Sequence, residues 1–247
     1  MLLESKYGEA SKKVVIEEFL SGIELSCFIL FDGDNYNKLP MAKDYKRIGH
    51  GDKGLNTGGM GAISPVPFVD SVFDEKIDNQ IIKPTIEGLK KDDINYKGFI
   101  FIGLIKVGDN PFVIEYNVRL GDPETEVIIP RIENDLVEVF EAANCGDLDK
   151  IKLQITPKSA ATVMLVSKGY PEAYQKGKNI FGLPKNKMVF QAGTCIDRGS
   201  LKTSGGRVMA ITSFGDNFKT ALKESYKIVE KIEYDGKYYR KDIGFDL

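Results

Sequence analysis

The stretch Phe112-Val113-Ile114-Glu115-Tyr116-Asn117-Val118, followed at once by Arg119-Leu120-Gly121-Asp122-Pro123-Glu124, decides how the chain is read. Strand alternation puts Glu115 and Asn117 on one face and Phe112, Ile114, Tyr116 and Val118 on the other, which is expected to be the core. Two oxygen-bearing side chains two residues apart on a rigid strand suit a hard cation. Mg²⁺ commonly takes one or two protein oxygens and completes its shell with phosphate and water. The polar face of an ordinary strand has the same spacing, so the spacing alone leaves both readings open. An arginine beside such a strand can hold phosphate in a bidentate grip and offset charge that develops during transfer. Gly121 and Pro123 set a turn that keeps Arg119 and Asp122 near the strand end.

Working outward, the strand is the second half of a hairpin, whose first half runs Gly98–Val107 and whose turn is Gly108-Asp109-Asn110-Pro111. Before it, Ile77, Ile81, Ile82, Ile86 and Leu89 recur at helical spacing and predict a helix over residues 74–90. Earlier still, residues 25–31 form an apolar run that stops at Asp32-Gly33-Asp34-Asn35, and Val14-Val15-Ile16 begin another that stops at Glu17-Glu18. These read as two strands joined by Ser21-Gly22. Residues 49–65 hold six glycines and no period, which predicts a long and functional loop. After the deciding stretch, Leu136, Val139, Phe140 and Ala143 mark a helix over residues 135–144, capped by Asp135 or Asn134 and ended by Gly146. The polar segment 146–157 suggests a boundary, giving domains 1–153 and 154–247. Beyond it, residues 160–166 and 207–212 read as strands, and Phe218, Ala221, Leu222, Ser225, Val229 and Ile232 define a helix face.

The 247 residues are 42% apolar, enough to bury a core. Lys and Arg total 34 against 36 Asp and Glu; the net charge of −2 gives no reason to expect nucleic acid or an acidic membrane as partner. No apolar run is long enough to cross a bilayer, and Met-Leu-Leu-Glu-Ser-Lys at the start lacks the pattern of a secretory signal. Cys27, Cys145 and Cys195 are far apart and odd in number, which argues against disulfides or zinc and for a reducing cytosol. His50 is the sole histidine, so double-His chemistry is excluded by count; in a glycine-rich loop it is expected to face solvent.

Two further constellations carry possible chemistry. Glu17-Glu18-Phe19-Leu20-Ser21-Gly22-Ile23-Glu24 ends a strand in a short connector, whose backbone groups can pair with an adenine edge while a carboxylate takes ribose hydroxyls. Two strands and an acidic turn are common, so this signal is weak. Asp44-Tyr45-Lys46-Arg47, followed by Gly54-Leu55-Asn56-Thr57-Gly58-Gly59-Met60-Gly61-Ala62, combines two cations with flexible backbone amides and suits a phosphorylated ligand. Its spacing is neither that of a Walker A loop nor that of the dinucleotide fingerprint.

Taken in order, these segments resemble the glycinamide ribonucleotide synthetase (phosphoribosylamine–glycine ligase) family. The resemblance rests on Glu17-Glu18-Phe19-Leu20-x-Gly22-x-Glu24, Asp44-x-Lys46-Arg47, Asn56 to Ala62, and Glu115-x-Asn117-x-Arg119-x-Gly121-Asp122-Pro123-Glu124. It extends to Gly169-Tyr170-Pro171 and Thr203-Ser204-Gly205-Gly206-Arg207-Val208, and so covers almost the whole chain. It implies an α+β fold: the second half of an ATP-grasp domain, an antiparallel sheet with helices, followed by a small α/β C-terminal domain. The implied activity is ATP-dependent ligation of glycine to 5-phosphoribosylamine through a glycyl phosphate, in purine biosynthesis in the cytoplasm. Carried over by position, Glu115 and Asn117 would bind Mg²⁺ (or Mn²⁺), and Arg119 would contact the phosphoryl group or the acyl phosphate. Glu18 and Leu20 would meet adenine through their backbone, with Glu17 and Phe19 in the same cofactor-binding segment, and Glu24 would hold the ribose. Asp44, Lys46, Arg47, Gly58, Gly59 and Asp122 would line the substrate side. Tyr45 stands where the family often has histidine, which puts a titrating role there in doubt. The family's N-terminal substrate domain and the lysine-bearing half of its ATP-grasp domain have no counterpart here, so the chain is expected to be a fragment that needs the N-terminal half as partner. Rival readings are another ATP-grasp ligase or carboxylase and a non-catalytic nucleotide-binding module.

Overall fold

A computed structural model describes Gly8 and residues 13–247; the start of the chain, Met1 to Lys6, lies outside the described residues. The strands are β1 (Ile23–Phe31), β2 (Tyr36–Lys38), β3 (Lys43–Asp44), β4 (Arg47–Gly49), β5 (Lys53–Asn56), β6 (Gly61–Ser64), β7 (Gly98–Val107) and β8 (Asn110–Asn117). After these come β9 (Ser159–Ser167), β10 (Met188–Gln191), β11 (Thr194–Asp197), β12 (Ser200–Thr203), β13 (Arg207–Gly215) and β14 (Lys237–Tyr238). The helices are α1 (Ser71–Ile77), α2 (Lys83–Lys91), α3 (Thr125–Ile128), α4 (Leu136–Cys145) and α5 (Phe218–Val229). One sheet runs β2-β1-β7-β8; a second runs β10-β13-β9-β6-β3, with β14 also on β9. Every ladder among the described residues is antiparallel, in the C-terminal part as well, so the class is α+β.

β1 is a continuous apolar run because both its faces are covered. Leu25, Cys27, Ile29 and Phe31 join Ile100, Ile102 and Leu104 of β7 under the isoleucines of α1 and α2. Phe28 and Leu30 belong to a separate cluster with Phe101, Val127 and Val139. Asp70 caps α1 by accepting from the Phe73 N–H at 2.8 Å. Between α1 and α2 the chain makes a π turn, Asp78–Ile82, which ends two residues before Pro84. Proline has no N–H to return to the preceding turn, and the wider turn absorbs that gap while Ile77, Ile81, Ile82 and Ile86 stay buried. α4 has the expected ends, with Asp135 accepting from the Val137 N–H and Gly146 left-handed at φ 81°. α5 starts from an Asn217–Thr220 capping box and covers β9 and β13 with Ala221, Leu222, Ser225 and Val229.

The fold corrects three expectations. Val14-Val15-Ile16 form no strand; Val15 is 84% and Ile16 92% exposed. Residues 49–65 are not one loop: they contain β5, hairpinned on β4, and β6, which pairs with β9 about a hundred positions away. Finally, Phe112, Ile114, Tyr116 and Val118 do not form a core face, since all four are exposed. The ladder between β7 and β8 slips by one residue between Gly103 and Leu104, so that Glu115 faces Gly103 and Val113 faces Leu104. The extra residue is Ile114, and a bulge of this kind reverses the side-chain alternation beyond it.

Candidate active site

The bulge leaves Glu115 and Asn117 on the face of the first sheet that also carries Glu24 and Ser26. Register gives this: Glu24 pairs with Ile105, Ser26 with Gly103, Gly103 with Glu115, and Phe101 with Asn117. Asn117 Nδ2 donates to Glu115 Oε1 at 3.1 Å. That bond leaves Oε2 of the exposed Glu115 and Oδ1 of the half-buried Asn117 outside it, a donor pair that suits Mg²⁺ completed by phosphate and water. Among the described residues no cluster of three or more His, Cys, Asp or Glu side chains stands in their place. The Arg119 guanidinium lies 6.0 Å from the Phe101 ring centroid, and Phe101 is the strand partner of Asn117. Among the described residues, Arg119 donates only to its neighbour's carbonyl, Leu120 O, at 3.0 Å.

Glu24 stands between two cavities. On one side Glu17, Glu18, Phe19 and Leu20 border a space of about 340 Å³ floored by Ile105, Val113 and Ile114. The expected adenine residues are thus brought together beside a strand surface, although Phe19 itself is 92% exposed. On the other side Glu24 joins Asp44, Lys46, Arg47, Asp52 and Asn56 around a polar cavity of about 300 Å³. Lys46 Nζ reaches Glu24 Oε2 at 2.6 Å. Burial works against the Lys46 charge, but Asp44, Glu24 and Glu115 more than offset it and raise its pKa. Lys46 is therefore a fixed cation between the oxygen pair and the polar cavity.

Gly58, Gly59 and Asp122 meet elsewhere, at Arg207. Its guanidinium donates to Gly58 O at 2.7 Å, Asp122 O at 2.8 Å and Asp122 Oδ2 at 2.9 Å. Tyr170 Oη accepts from the Gly58 N–H at 2.9 Å. The C-terminal part thus holds both the glycine loop and the Asp122 turn. Sequence reasoning missed Arg207 and Tyr170 as site residues: each lies in a segment quoted for the resemblance, yet its partners are more than eighty positions away. His50 is exposed, as expected, and accepts from the Lys241 N–H at 3.1 Å.

Beneath the site, Glu124 and Asp44 are buried carboxylates. Ser26 Oγ–H donates to Glu124 Oε1 at 2.8 Å. Burial, reinforced by the nearby Asp44, pushes the Glu124 carboxyl up to about 7. Burial also raises Asp44, against the pull of Lys46. A carboxyl whose folded pKa lies above its unfolded value binds more protons when folded, so stability falls as pH rises from about 4.5 to about 7. Glu124→Gln keeps an acceptor for Ser26 and removes that loss. Thermal unfolding should give nearly equal Tm for variant and parent at pH 4 and a higher Tm for the variant at pH 8. A variant no more stable at pH 8 would contradict the burial argument.

The antiparallel sheets and the helices packed on them match the ATP-grasp fold. The family model described as "Phosphoribosylglycinamide synthetase, ATP-grasp (A) domain" matches residues 1–125, and that for the C domain of the same synthetase matches residues 160–246. The chain belongs to the phosphoribosylglycinamide synthetase family. It is 44% identical over 243 residues to the phosphoribosylamine–glycine ligase of Chlorobaculum tepidum, covering 96% of this chain and 57% of that protein. The crystal structure of phosphoribosylamine–glycine ligase from Thermotoga maritima superposes with a TM-score of 0.81 at 39% identity, covering 92% of this chain and 56% of that one. The chain therefore spans little more than half the length of these relatives. Biotin carboxylase from Campylobacter jejuni, at 12% identity and a TM-score of 0.69 over 96% of this chain and 51% of that one, shares the fold. Among the described residues, no helix is long and apolar enough to cross a membrane.

Proposed function

We propose that this chain is the adenine-, metal- and acceptor-binding portion of a phosphoribosylamine–glycine ligase that works with the N-terminal portion carried by its full-length relatives. The observation that carries the reading is the meeting of two cavities at Glu24, with the Glu115–Asn117 oxygen pair and Lys46 beside it. Backbone groups of Glu18 and Leu20, with Glu17 and Phe19 around them, take the adenine, and Glu24 takes the ribose. Glu115 and Asn117 would hold Mg²⁺ or Mn²⁺, which supplies charge neutralisation at the phosphates. Arg119 lies where negative charge grows as the phosphoryl group passes to the glycine carboxylate. Asp44, Lys46 and Arg47, with the Gly58-Gly59 loop and the Asp122 turn, form the phosphoribosylamine side, where the amine attacks the glycyl phosphate and releases phosphate. Positioning and charge carry such transfers, so no nucleophilic side chain is required. The free thiols of Cys27, Cys145 and Cys195 suit a reducing cytoplasm.

The test is ADP release with ATP, Mg²⁺, glycine and freshly generated phosphoribosylamine, measured on the chain alone and complemented with the N-terminal portion of the Thermotoga maritima relative. Turnover that needs both parts and every substrate supports the reading; bicarbonate-dependent turnover, or ATP binding without turnover, contradicts it. In the complemented enzyme Arg119→Lys should cost about tenfold or more in kcat with little change in the KM for ATP, because lysine lacks the planar fork.

A further inference from the structure

The polar cavity has one wall that comes from the far end of the chain. Asp246 borders it together with Lys43, Asp44, Lys46 and Arg47. The Asp246 carboxylate accepts from the Tyr45 hydroxyl at 2.9 Å and pairs with Lys43 Nζ at 3.1 Å. Lys43 Nζ also lies 4.2 Å from the Tyr45 ring centroid, and only 5% of the Lys43 side chain is exposed. The ammonium is thus held between a carboxylate and an aromatic face, both fixed by a contact spanning 201 positions.

The tail that delivers Asp246 is anchored separately. Arg240 is fully buried and binds Asp52 at 2.5 Å, Asp242 at 2.8 Å and the Arg47 carbonyl at 3.2 Å. Asp242 in turn accepts from the Gly51 N–H at 2.7 Å, and Tyr238 Oη–H donates to the Ile48 carbonyl at 2.9 Å. A buried guanidinium is tolerated when its donors are met, and these contacts bind the tail to the β4–β5 hairpin. Attachment is therefore provided without Asp246. The Asp246 side chain keeps 26% of its surface open, and it reaches residues on β3 and directly after it.

The cavity mixes the cations Lys43, Lys46 and Arg47, which can meet a phosphate, with the carboxylates Glu24, Asp44 and Asp52, which can accept from sugar hydroxyls. We propose that Asp246 is a positioning residue for a sugar-phosphate subsite: through Lys43 and Tyr45 it fixes one wall of the polar cavity. This deepens the acceptor-side reading given under Proposed function and rests on it.

In the complemented enzyme, Asp246→Ala should raise the KM for phosphoribosylamine about tenfold and leave the KM for ATP and the Tm close to those of the parent; Asp246→Glu should restore part of the loss. Ribose 5-phosphate, a stable probe, should bind the parent by calorimetry and bind Asp246→Ala about tenfold more weakly. Should Asp246→Ala fail to fold, Asp246→Asn, which keeps an acceptor for Tyr45 and loses only the charge, gives the same comparison. An unchanged KM for phosphoribosylamine, or an equal rise in the KM for ATP, overturns the proposal. So does a parent that does not bind ribose 5-phosphate, or a variant that binds it equally well. A parent that binds the probe in an Asp246-dependent way yet makes no ligated product would leave this subsite standing and remove the ligase reading.

Discussion

Glu115→Ala in the complemented enzyme is expected to lower turnover by about 10²–10³-fold while the protein remains folded. The stability half follows from exposure. Glu115 lies on the open face of β8 and its hydrogen bond is to Asn117, so its loss should shift stability by no more than about 0.5 kcal/mol. The activity half follows from the charge balance. Glu115 is the charged member of the oxygen pair, and an asparagine amide alone is a weak ligand for a divalent ion. Chelation should therefore abolish the parent's activity and remove little further from the variant. Circular dichroism and ADP release across a Mg²⁺ titration check both halves. Parent-like rates at low Mg²⁺ would end the metal role assigned to this residue.

Gly59→Ala is expected to cost stability as well as activity. Gly59 has φ 116°, a region that side chains other than glycine rarely enter, and a Cβ there would overlap Pro123 Cδ. Backbone strain of about 1–3 kcal/mol adds to the displacement of the Asp122 turn. Arg207 holds both segments, so the loop cannot move without losing bonds to Gly58 O or Asp122. Turnover should fall with the KM for phosphoribosylamine rising more than that for ATP, because Gly58, Gly59 and Asp122 belong to the proposed acceptor side and none of them lines the cavity bordered by Glu17, Glu18, Phe19 and Leu20. Denaturant unfolding and the two KM values test it. A variant as stable as its parent would mean that the loop and turn are not packed as described.

Much of the fold was legible because its signals are local. The apolar run of β1, the β7–β8 hairpin, the caps of α4 and the apolar face of α5 each lie within a short window, and each forms near its expected ends. That Glu115 and Asn117 share one strand face was legible for the same reason, since they stand two positions apart on one strand. What escaped depends on distant partners. β6 is a strand because β9 offers it a ladder, and nothing among its glycines announces that. The facing of Phe112 turns on a single extra residue, which pattern reading cannot locate. Residues 14–16 have the composition of a strand and no neighbour to pair with among the described residues. Arg207 looks like the first residue of a strand until its partners from Gly58 and Asp122 are seen beside it.

The second sheet joins two separate stretches of the chain edge to edge. β3 and β6 come from the segment matched by the ATP-grasp model and β9, β10 and β13 from the segment matched by the C-domain model, and the β6–β9 ladder stitches them together. A protease nick anywhere between residues 146 and 157 would cut the covalent thread and leave the stitched seam intact. Sequence modules that can be told apart on paper are in this molecule two strips of one fabric. A split version of the protein would have to be cut elsewhere, or would travel as a pair.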